Sequence, residues 1–277
     1  MQEITLPQTD ARWYQIGFQS AFLLFGTLVL GWQQEWWRLV LIIATCLSVQ
    51  VFFIWRGLQN LQSFRSALIT ALGLCLLLRT SEWWVLVLAG AVAISSKFFI
   101  KINGKHIFNP ANIGIVAAIF FTGKAWISPG QWGSDTLYPI SILIAGFIVC
   151  YKVKRAQTGF IFLGILFALE FAKRYLFLGW PMDLVLHRFS SGSLLVYALF
   201  MITDPMTTPN HKLARMVWAT ILALLTFILS ARYQIYEAPV WALFLLSPFT
   251  PLFDKLFQAN KFEWKQNTKV KLYETQK

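Results

Sequence analysis

Long apolar runs alternate with short polar segments along most of this sequence. Several runs approach or reach the roughly 20 residues with which an α-helix spans a bilayer. Ten candidate spans follow from this pattern, at residues 14–32, 36–55, 64–80, 83–100, 109–122, 137–153, 158–178, 189–203, 213–230 and 238–253. The pattern predicts an all-α polytopic membrane protein with about ten transmembrane helices.

The spans at 64–80 and 109–122 are short. Short or interrupted spans in corresponding parts of a chain are typical of transport-type folds that contain an internal repeat. We therefore expect one transmembrane domain over residues 1–256, made of two related halves at about 14–130 and 131–256. Residues 257–277 form a polar, basic tail, and no separate soluble domain is predicted.

The composition supports this class of protein. Hydrophobic residues make up 57% of the chain and charged residues 13%, about half of the charged share of a soluble domain. The three cysteines, Cys46, Cys75 and Cys150, lie in apolar runs without metal-ligand or redox spacing, which predicts buried thiols. The N-terminal segment lacks the basic and apolar pattern of a cleavable signal peptide.

The net charge of +12 has a membrane explanation. With the N-terminus in the cytoplasm and ten crossings, 17 of the 24 Lys and Arg residues fall on the cytoplasmic side. This asymmetry follows the positive-inside rule and predicts that both termini are cytoplasmic. Membrane lipid rather than nucleic acid is the expected partner of these charges, and the basic tail suits anionic headgroups.

Two polar motifs interrupt the apolar pattern about 95 residues apart. The first is KFFIKINGKHIFNPANIG, at 97–114, and the second is FMITDPMTTPN, at 200–210. Each contains an Asn or Asp followed by proline, which suits the N-cap and first position of a helix. Both motifs therefore predict helices that restart, at matching places in the two halves. Two capped junctions at the protein surface are the alternative interpretation.

A helix that begins near membrane depth exposes free N–H groups and a positive dipole end. Irregular backbone at that depth requires burial in protein or a polar cavity. A phosphate, a carboxylate or a carbonyl-rich ring would suit such a place.

At these motifs the sequence resembles the NqrB/RnfD family, the large membrane subunits of sodium-pumping NADH:quinone reductase and of the Rnf complex. The first motif matches the family at Ser96, Lys97, Lys101, Gly104, Lys105, His106, Ile107, Phe108, Asn109 and Pro110. The second matches at Ala198, Phe200, Thr203, Asp204, Pro205, Thr207 and Pro209, and the last span ends similarly in Pro251, Leu252, Phe253 and Asp254. The likeness covers roughly residues 60–256.

The resemblance implies ten helices in two halves, similar to the fold of urea transporters. It also implies a flavin, FMN or riboflavin, and electron-transfer or flavoprotein subunits as partners. The candidate cofactor-binding residues are Lys97, Lys105, His106, Asn109, Pro110, Thr203, Asp204 and Pro205.

One departure from the family bears on the flavin. Family members attach FMN to a threonine of a Gly-Ala-Thr-like loop between the fifth and sixth spans. Here that region, 123–139, is short and lacks the triplet, and Thr122 and Thr136 are the nearby threonines. We therefore expect any flavin to be non-covalent. The chain is similar to compact relatives described as RnfD-like or UnbU-like.

Other chemistry is less well supported. His106, His187 and His211 are not placed for a haem, and no cluster has zinc-ligand spacing, so neither group is expected. Glu170 lies within an apolar span with Lys173 and Arg174 three and four residues later, which favours a local salt bridge over a proton relay.

Two functions of different classes remain open. The first is a flavin-linked electron-transport subunit of the bacterial cytoplasmic membrane, without its own NADH site because no nucleotide-binding motif is present. The second is a channel or transporter for a small polar solute on a urea-transporter-like fold. A purely structural membrane scaffold is a third possibility.

Overall fold

The structure, a computed structural model, describes residues 3–6, 10–32, 35–128, 130–132, 137–264 and 268–271. The helices are α1 (Ala11–Leu28), α2 (Trp36–Trp55), α3 (Phe64–Leu77), α4 (Trp83–Phe99), α5 (Pro110–Thr122), α6 (Leu137–Lys152), α7 (Ala156–Glu170), α8 (Met182–Phe189), α9 (Gly192–Val196), α10 (Lys212–Arg232), α11 (Ala238–Leu246) and α12 (Thr250–Leu256). A π-helical segment, Phe171–Phe177, extends α7, and a second one, Tyr197–Met201, extends α9. Three 3₁₀ turns lie at Leu61–Ser63, Gly130–Trp132 and Ser247–Phe249.

The chain is an all-α membrane protein, as the apolar pattern predicts. Within the described ranges, α2 and α10 are each long and apolar enough to cross a membrane alone, with 20 and 21 residues. A third candidate is the pair formed by α8 and the extended α9, which are bent by 48° at their break. The apolar helices α4, α5 and α6 are shorter.

The eighth predicted span, 189–203, differs from the structure. The chain breaks at Ser190 and Ser191, and α9 restarts at Gly192. A Cβ atom at Gly192 would lie 2.3 Å from the Trp132 ring, so this helix begins where only a glycine fits against the indole. The span is therefore a short bent pair of helices rather than one straight helix.

Helix packing follows a similar order in the two predicted halves. In the first, α1 packs against α3, α2 against α4, and α4 against α5. In the second, α6 packs against α9, α7 against α10, and α10 against α11. Contacts between α1 and α6 join the two sets. The core is continuous and apolar, and Cys46, Cys75 and Cys150 are buried free thiols within it, as predicted.

Three short antiparallel pairs of strands connect parts of the chain. β1 (Glu3–Leu6) pairs with β6 (Thr268–Lys271), β2 (Leu78–Thr80) with β5 (Ala125–Ile127), and β3 (Lys101–Ile102) with β4 (Lys105–His106). The last pair is a hairpin closed by Asn103 and Gly104, with φ of 51° and 71°. Two successive residues with positive φ form the turn that matches the twist of a two-residue hairpin, and Asn-Gly is its preferred sequence.

Small residues let neighbouring helices approach closely, as is common in membrane proteins. A Cβ atom at Gly114 of α5 would lie 2.6 Å from the carbonyl oxygen of Ala89 in α4. Gly17 of α1, by contrast, has no neighbour within 4 Å of such an atom.

We predict opposite effects of alanine at these two glycines. Gly114→Ala should lower the melting temperature of the detergent-solubilised protein, because α4 and α5 must move apart. Gly17→Ala should leave it unchanged or raise it, since alanine favours a helix by about 1 kcal/mol over glycine. Equal effects of the two substitutions would contradict a close approach at Gly114.

Candidate functional site

Lys105 connects three separate loops. The hairpin turn places it in β4, where its side chain is largely buried and its Nζ donates to the Thr208 carbonyl at 2.6 Å and to Asp254 Oδ2 at 2.7 Å. The other carboxylate oxygen of Asp254 accepts from the Asn210 backbone N–H at 2.7 Å. The hairpin, the segment before α10 and the end of α12 are therefore held around one ammonium group.

Asn109 begins α5 in the way that the sequence predicts. Its Oδ1 accepts from the Asn112 backbone N–H at 3.2 Å, and Pro110 occupies the first turn, where no N–H is needed. Its Nδ2 donates to the Met201 carbonyl at 3.3 Å and lies 3.5 Å from Asp204 Oδ2. The helix restart at Asn109 is confirmed.

The predicted restart at Asp204 and Pro205 is wrong. Asp204 Oδ1 accepts from the Met206 N–H at 2.9 Å, but the chain makes a single turn and α10 begins only at Lys212. Pro209 explains this, because the residue before a proline avoids helical geometry and the proline has no N–H to donate. The Thr203 hydroxyl does not cap this turn, since it donates to the Leu199 carbonyl at 2.6 Å.

The two motifs also do not occupy matching places in the halves. Asn109 begins the fifth predicted span, which is the last of the first half. Asp204 follows the eighth predicted span, which is the third of the second half. The position that corresponds to Pro110 is near Pro239, in the first turn of α11. The motifs instead contact each other through Asn109 and Asp204. Together they form one site rather than two repeated sites.

Lys97 and His106 have different surroundings. Lys97 is 4% exposed within α4, and its Nζ donates to Ser66 Oγ at 3.1 Å. His106 lines a cavity, and its Nδ1 has no hydrogen-bond partner among the described residues. Burial, together with the nearby charges of Lys97 and Lys101, lowers the pKa of His106 to about 4. The imidazole is therefore neutral at pH 7.

A small polar cavity of about 60 Å³ lies where the two motifs meet. Its polar lining includes Gln15, Gln19, His106, Asn109 and Asp204. A water needs roughly 10–15 Å³ measured in this way, whereas sites for cofactor-sized ligands occupy about 300–1,000 Å³. The cavity has room for a few waters or a small solute, and a flavin ring system does not fit it.

The eight predicted cofactor-binding residues therefore do not form one flavin-sized site. His106, Asn109, Pro110 and Asp204 line the small cavity. Lys97, Lys105, Thr203 and Pro205 lie outside this lining, with Lys97, Lys105 and Thr203 engaged in the hydrogen bonds described above. Thr136, the nearest threonine for a covalent flavin, is outside the described residues. No group of three His, Cys, Asp or Glu side chains in the described ranges could hold a metal ion.

Asp204 is the acid of this cavity, and its environment opposes its charge. Burial raises the pKa of the Asp204 carboxyl above its ordinary value. The Met206 N–H and the charges of Lys97, Lys105 and Arg155 act in the other direction without reversing the shift. A carboxyl that is easier to protonate than usual, in a small polar cavity, suits contact with a polar solute or a proton.

A second cavity, of about 630 Å³, lies next to the first, and Leu77 lines both. Its lining includes Trp126, Arg174, Arg188, Ser191 and Tyr197. Its volume is that of a site for a cofactor-sized ligand. The sequence analysis missed this cavity because its lining comes from α3, β5, α7, α8, α9, α10 and α11, and no single motif marks it.

Glu170 is fully buried and pairs with two cations of the larger cavity's lining, Arg174 and Arg188. It forms a salt bridge with Arg174, as the spacing predicts, and lies 3.4 Å from Arg188. Lys173, the other predicted partner, instead donates to the Ala231 carbonyl at 2.9 Å. Glu170, an acid within an apolar span, marks this region in the sequence, where it predicts a local salt bridge and not a cavity.

Part of this chain is similar to a known protein family. Residues 135–263, just under half of the chain, match the sequence model of the NQR2, RnfD, RnfE family. The family segment contains Asp204 and Asp254, whereas Lys105 and Asn109 lie before it.

A relative of known name agrees with this family. RnfD of Stutzerimonas stutzeri, part of an ion-translocating oxidoreductase complex, is 34% identical to this chain over 77 residues. The aligned part covers 28% of this chain and 22% of the relative, so the chain spans about a fifth of that protein's length.

We predict that two substitutions of Asp204 change the stability of the protein in opposite directions at neutral pH. Asp204→Ala removes the acceptor for the Met206 N–H and should lower the free energy of unfolding by about 0.5–2 kcal/mol, as for a lost cap, and with it the melting temperature. Asp204→Asn keeps an acceptor and removes the buried charge. Because the pKa of Asp204 is raised in the folded state, ionisation opposes folding. The benefit of Asn should therefore grow as the pH rises above 3.8 and vanish below it.

Melting temperatures of the purified variants between pH 4 and pH 8 measure both effects. If Asn is as damaging as Ala at neutral pH, the carboxylate charge itself is required, and Asp204 would become a proton or cation site.

Proposed function

We propose that this chain is an integral membrane component of an ion-translocating oxidoreductase of the RnfD/NqrB kind, in the bacterial cytoplasmic membrane. The family match over residues 135–263 is the observation that supports this most directly. The similarity to RnfD of Stutzerimonas stutzeri supports the same class, together with further subunits of a complex as partners. The sequence has no nucleotide-binding motif, so electrons would come from a partner flavoprotein or electron-transfer subunit and not from NADH directly.

Ten membrane crossings with both termini in the cytoplasm are part of this proposal. Contacts between helix ends support successive spans that cross the membrane in opposite directions. The hairpin before α5, the segment before α10 and the end of α12 meet at Lys105, and all three belong on one side. On the other side, Trp32 Nε1 donates to the Gln131 carbonyl, and Trp132 Nε1 to Ser193 Oγ, at 2.6 Å each. Five crossings in each half would give the halves opposite orientations, as in a urea-transporter-like fold.

We predict that topology reporters fused after Arg155 and after Lys277 both signal the cytoplasm. A reporter after Lys124 serves as the control and should signal the opposite side. Opposite signals from Arg155 and Lys277 would contradict the ten crossings.

A non-covalent flavin is the cofactor that we propose, and the larger cavity is the place that suits it. The volume of about 630 Å³ is sufficient, and the aromatic side chains of Trp126 and Tyr197 suit a planar ring. Arg188 has guanidinium N–H groups beyond the bonds that it makes to Ser230 and Glu170, and these suit a phosphate. A bound flavin supplies one-electron and hydride chemistry, and the chain would orient it and exclude water.

FMN and riboflavin differ by one phosphate, so their binding provides the test. We predict that the purified protein gains flavin absorbance with either compound, and that a denatured, gel-resolved band has no flavin fluorescence. Arg188→Gln should weaken FMN binding by roughly tenfold and leave riboflavin binding largely unchanged, because a charged partner of the phosphate is lost. Arg232→Gln, outside the cavity lining, is the matched control. Failure of the purified protein to bind either flavin would contradict the proposal.

A channel or transporter for a small polar solute is the second candidate function. The polar cavity of about 60 Å³ favours it, because its size and amide lining suit such a solute. Leu77 lies between this cavity and the larger one. Flux of small amides into liposomes, increased by Leu77→Ser, would support transport, whereas flavin binding without flux would support electron transfer.

A further inference from the structure

A basic groove of about 810 Å³ lies at the proposed cytoplasmic ends of α6 and α10, and Trp264 lines both this groove and the small polar cavity. The turn between α6 and α7, the start of α10 and the segment 259–264 bound it. Its cationic lining comprises Lys152, Lys154, Arg155, Lys212, Arg215 and Lys261. Glu263 is the one acid in the described lining, and it forms no ion pair there.

Arg155 is the most unusual residue of this groove. It is 6% exposed, and its side chain donates no hydrogen bond to any described residue. Its contact is with the Phe262 ring, whose centre lies 5.7 Å from the guanidinium. Burying a cation without a hydrogen-bonded counter-ion is strongly unfavourable. The carboxylates of Asp204 and Asp254 favour the charge of Arg155 at a distance, but no carboxylate among the described residues forms an ion pair with it.

Arg215 repeats this feature from the opposite wall. It is 7% exposed, and its Nη1 donates to the carbonyls of Pro209 and Asn210. Its Nε has no partner within the part of the chain that the structure describes. Burial and the positive charge of Arg215 lower the pKa of Arg155 to about 10, so Arg155 remains a cation at pH 7. Two like charges thus face one groove, and neither forms an ion pair with a carboxylate of the described residues.

The start of α10 adds a third feature that favours an anion. This helix has 21 residues, and its free N–H groups and positive dipole end open beside Arg215. His211 Nδ1 accepts from the Leu213 N–H and leaves other first-turn donors free. Helix N-termini combined with arginine are a common arrangement for binding phosphate.

The apolar surroundings indicate what carries the phosphate. Phe147 and Tyr151 of α6 line the groove and are 48% and 71% exposed, and Leu213 and Val217 of α10 are exposed nearby. Exposed aromatic and aliphatic side chains at the ends of membrane helices suit acyl chains and the interface, while basic clusters on the cytoplasmic side recognise anionic lipids. We propose that this groove binds the headgroup phosphate of an anionic phospholipid, with Arg155 and Arg215 as its charged ligands. The site is independent of the proposed electron-transport function.

Soluble short-chain lipids test this with the full chain in detergent. Dihexanoyl-phosphatidylglycerol should raise the melting temperature and change the fluorescence of the groove residue Trp264. Dihexanoyl-phosphatidylcholine and inorganic phosphate should do so only at concentrations at least about tenfold higher. The matched control, Arg56→Gln, removes one exposed arginine from another helix end and should leave binding unchanged.

Arg155→Gln separates a binding role from a purely structural one. It should weaken binding of the phosphatidylglycerol by about tenfold or more, since a buried charge partner is lost. It should not lower the melting temperature of the lipid-free protein, because an unpaired buried charge is removed. Arg155→Lys keeps the charge and should bind with an intermediate affinity.

Three results would overturn the proposal. Equal binding of phosphatidylcholine would show that the groove does not select a headgroup with a net negative charge. Equal binding of inorganic phosphate would show that the groove takes the free anion only. A marked loss of lipid-free stability in both Arg155 variants would show that a carboxylate of the chain itself already pairs with this residue.

Discussion

The ammonium group of Lys105 is the point on which the polar part of this structure depends. Three segments that are distant in the sequence end at this one cation, through the Thr208 carbonyl and the carboxylate of Asp254. In an apolar environment their polar groups would otherwise be left without partners, which is costly. The ion pair therefore fixes where the chain can leave the helical, apolar part of the fold. Asn109 and Asp204 come into contact because these loops are already held together.

The same constraint explains which features could be predicted from the sequence. Apolar runs located the helices, and the Asn-Pro pair located the start of α5, because capping depends on adjacent residues. Asp204 and Pro205 carry a similar local signal, yet Pro209 ends the turn before a helix forms. Local capping chemistry permits a helix to begin, but the residues that follow decide whether it continues.

Contacts between distant segments were beyond the reach of sequence patterns. The pairing of Lys105 with Asp254 joins residues 149 positions apart, and no periodicity or motif encodes that distance. The larger cavity has the same origin, since its lining comes from seven elements. The family-like motif did identify residues that cluster, but it assigned them to a ligand. In the structure, Lys105 and Thr203 mainly satisfy backbone carbonyls, so a motif can mark a fold-determining contact as readily as a binding site.

The distribution of unpaired buried charges separates structural from functional polar groups in this protein. Lys105 and Arg174 are cations with carboxylate partners, and their burial is explained by the fold alone. Arg155 has no ion-paired partner among the described residues, and Asp204 and Asp254 favour its charge only from a distance. Glutamine or an apolar side chain would satisfy packing at lower cost. A cation without an ion pair at that position suits the proposed lipid phosphate, and the membrane interface beside α6 and α10 is the nearest source of one.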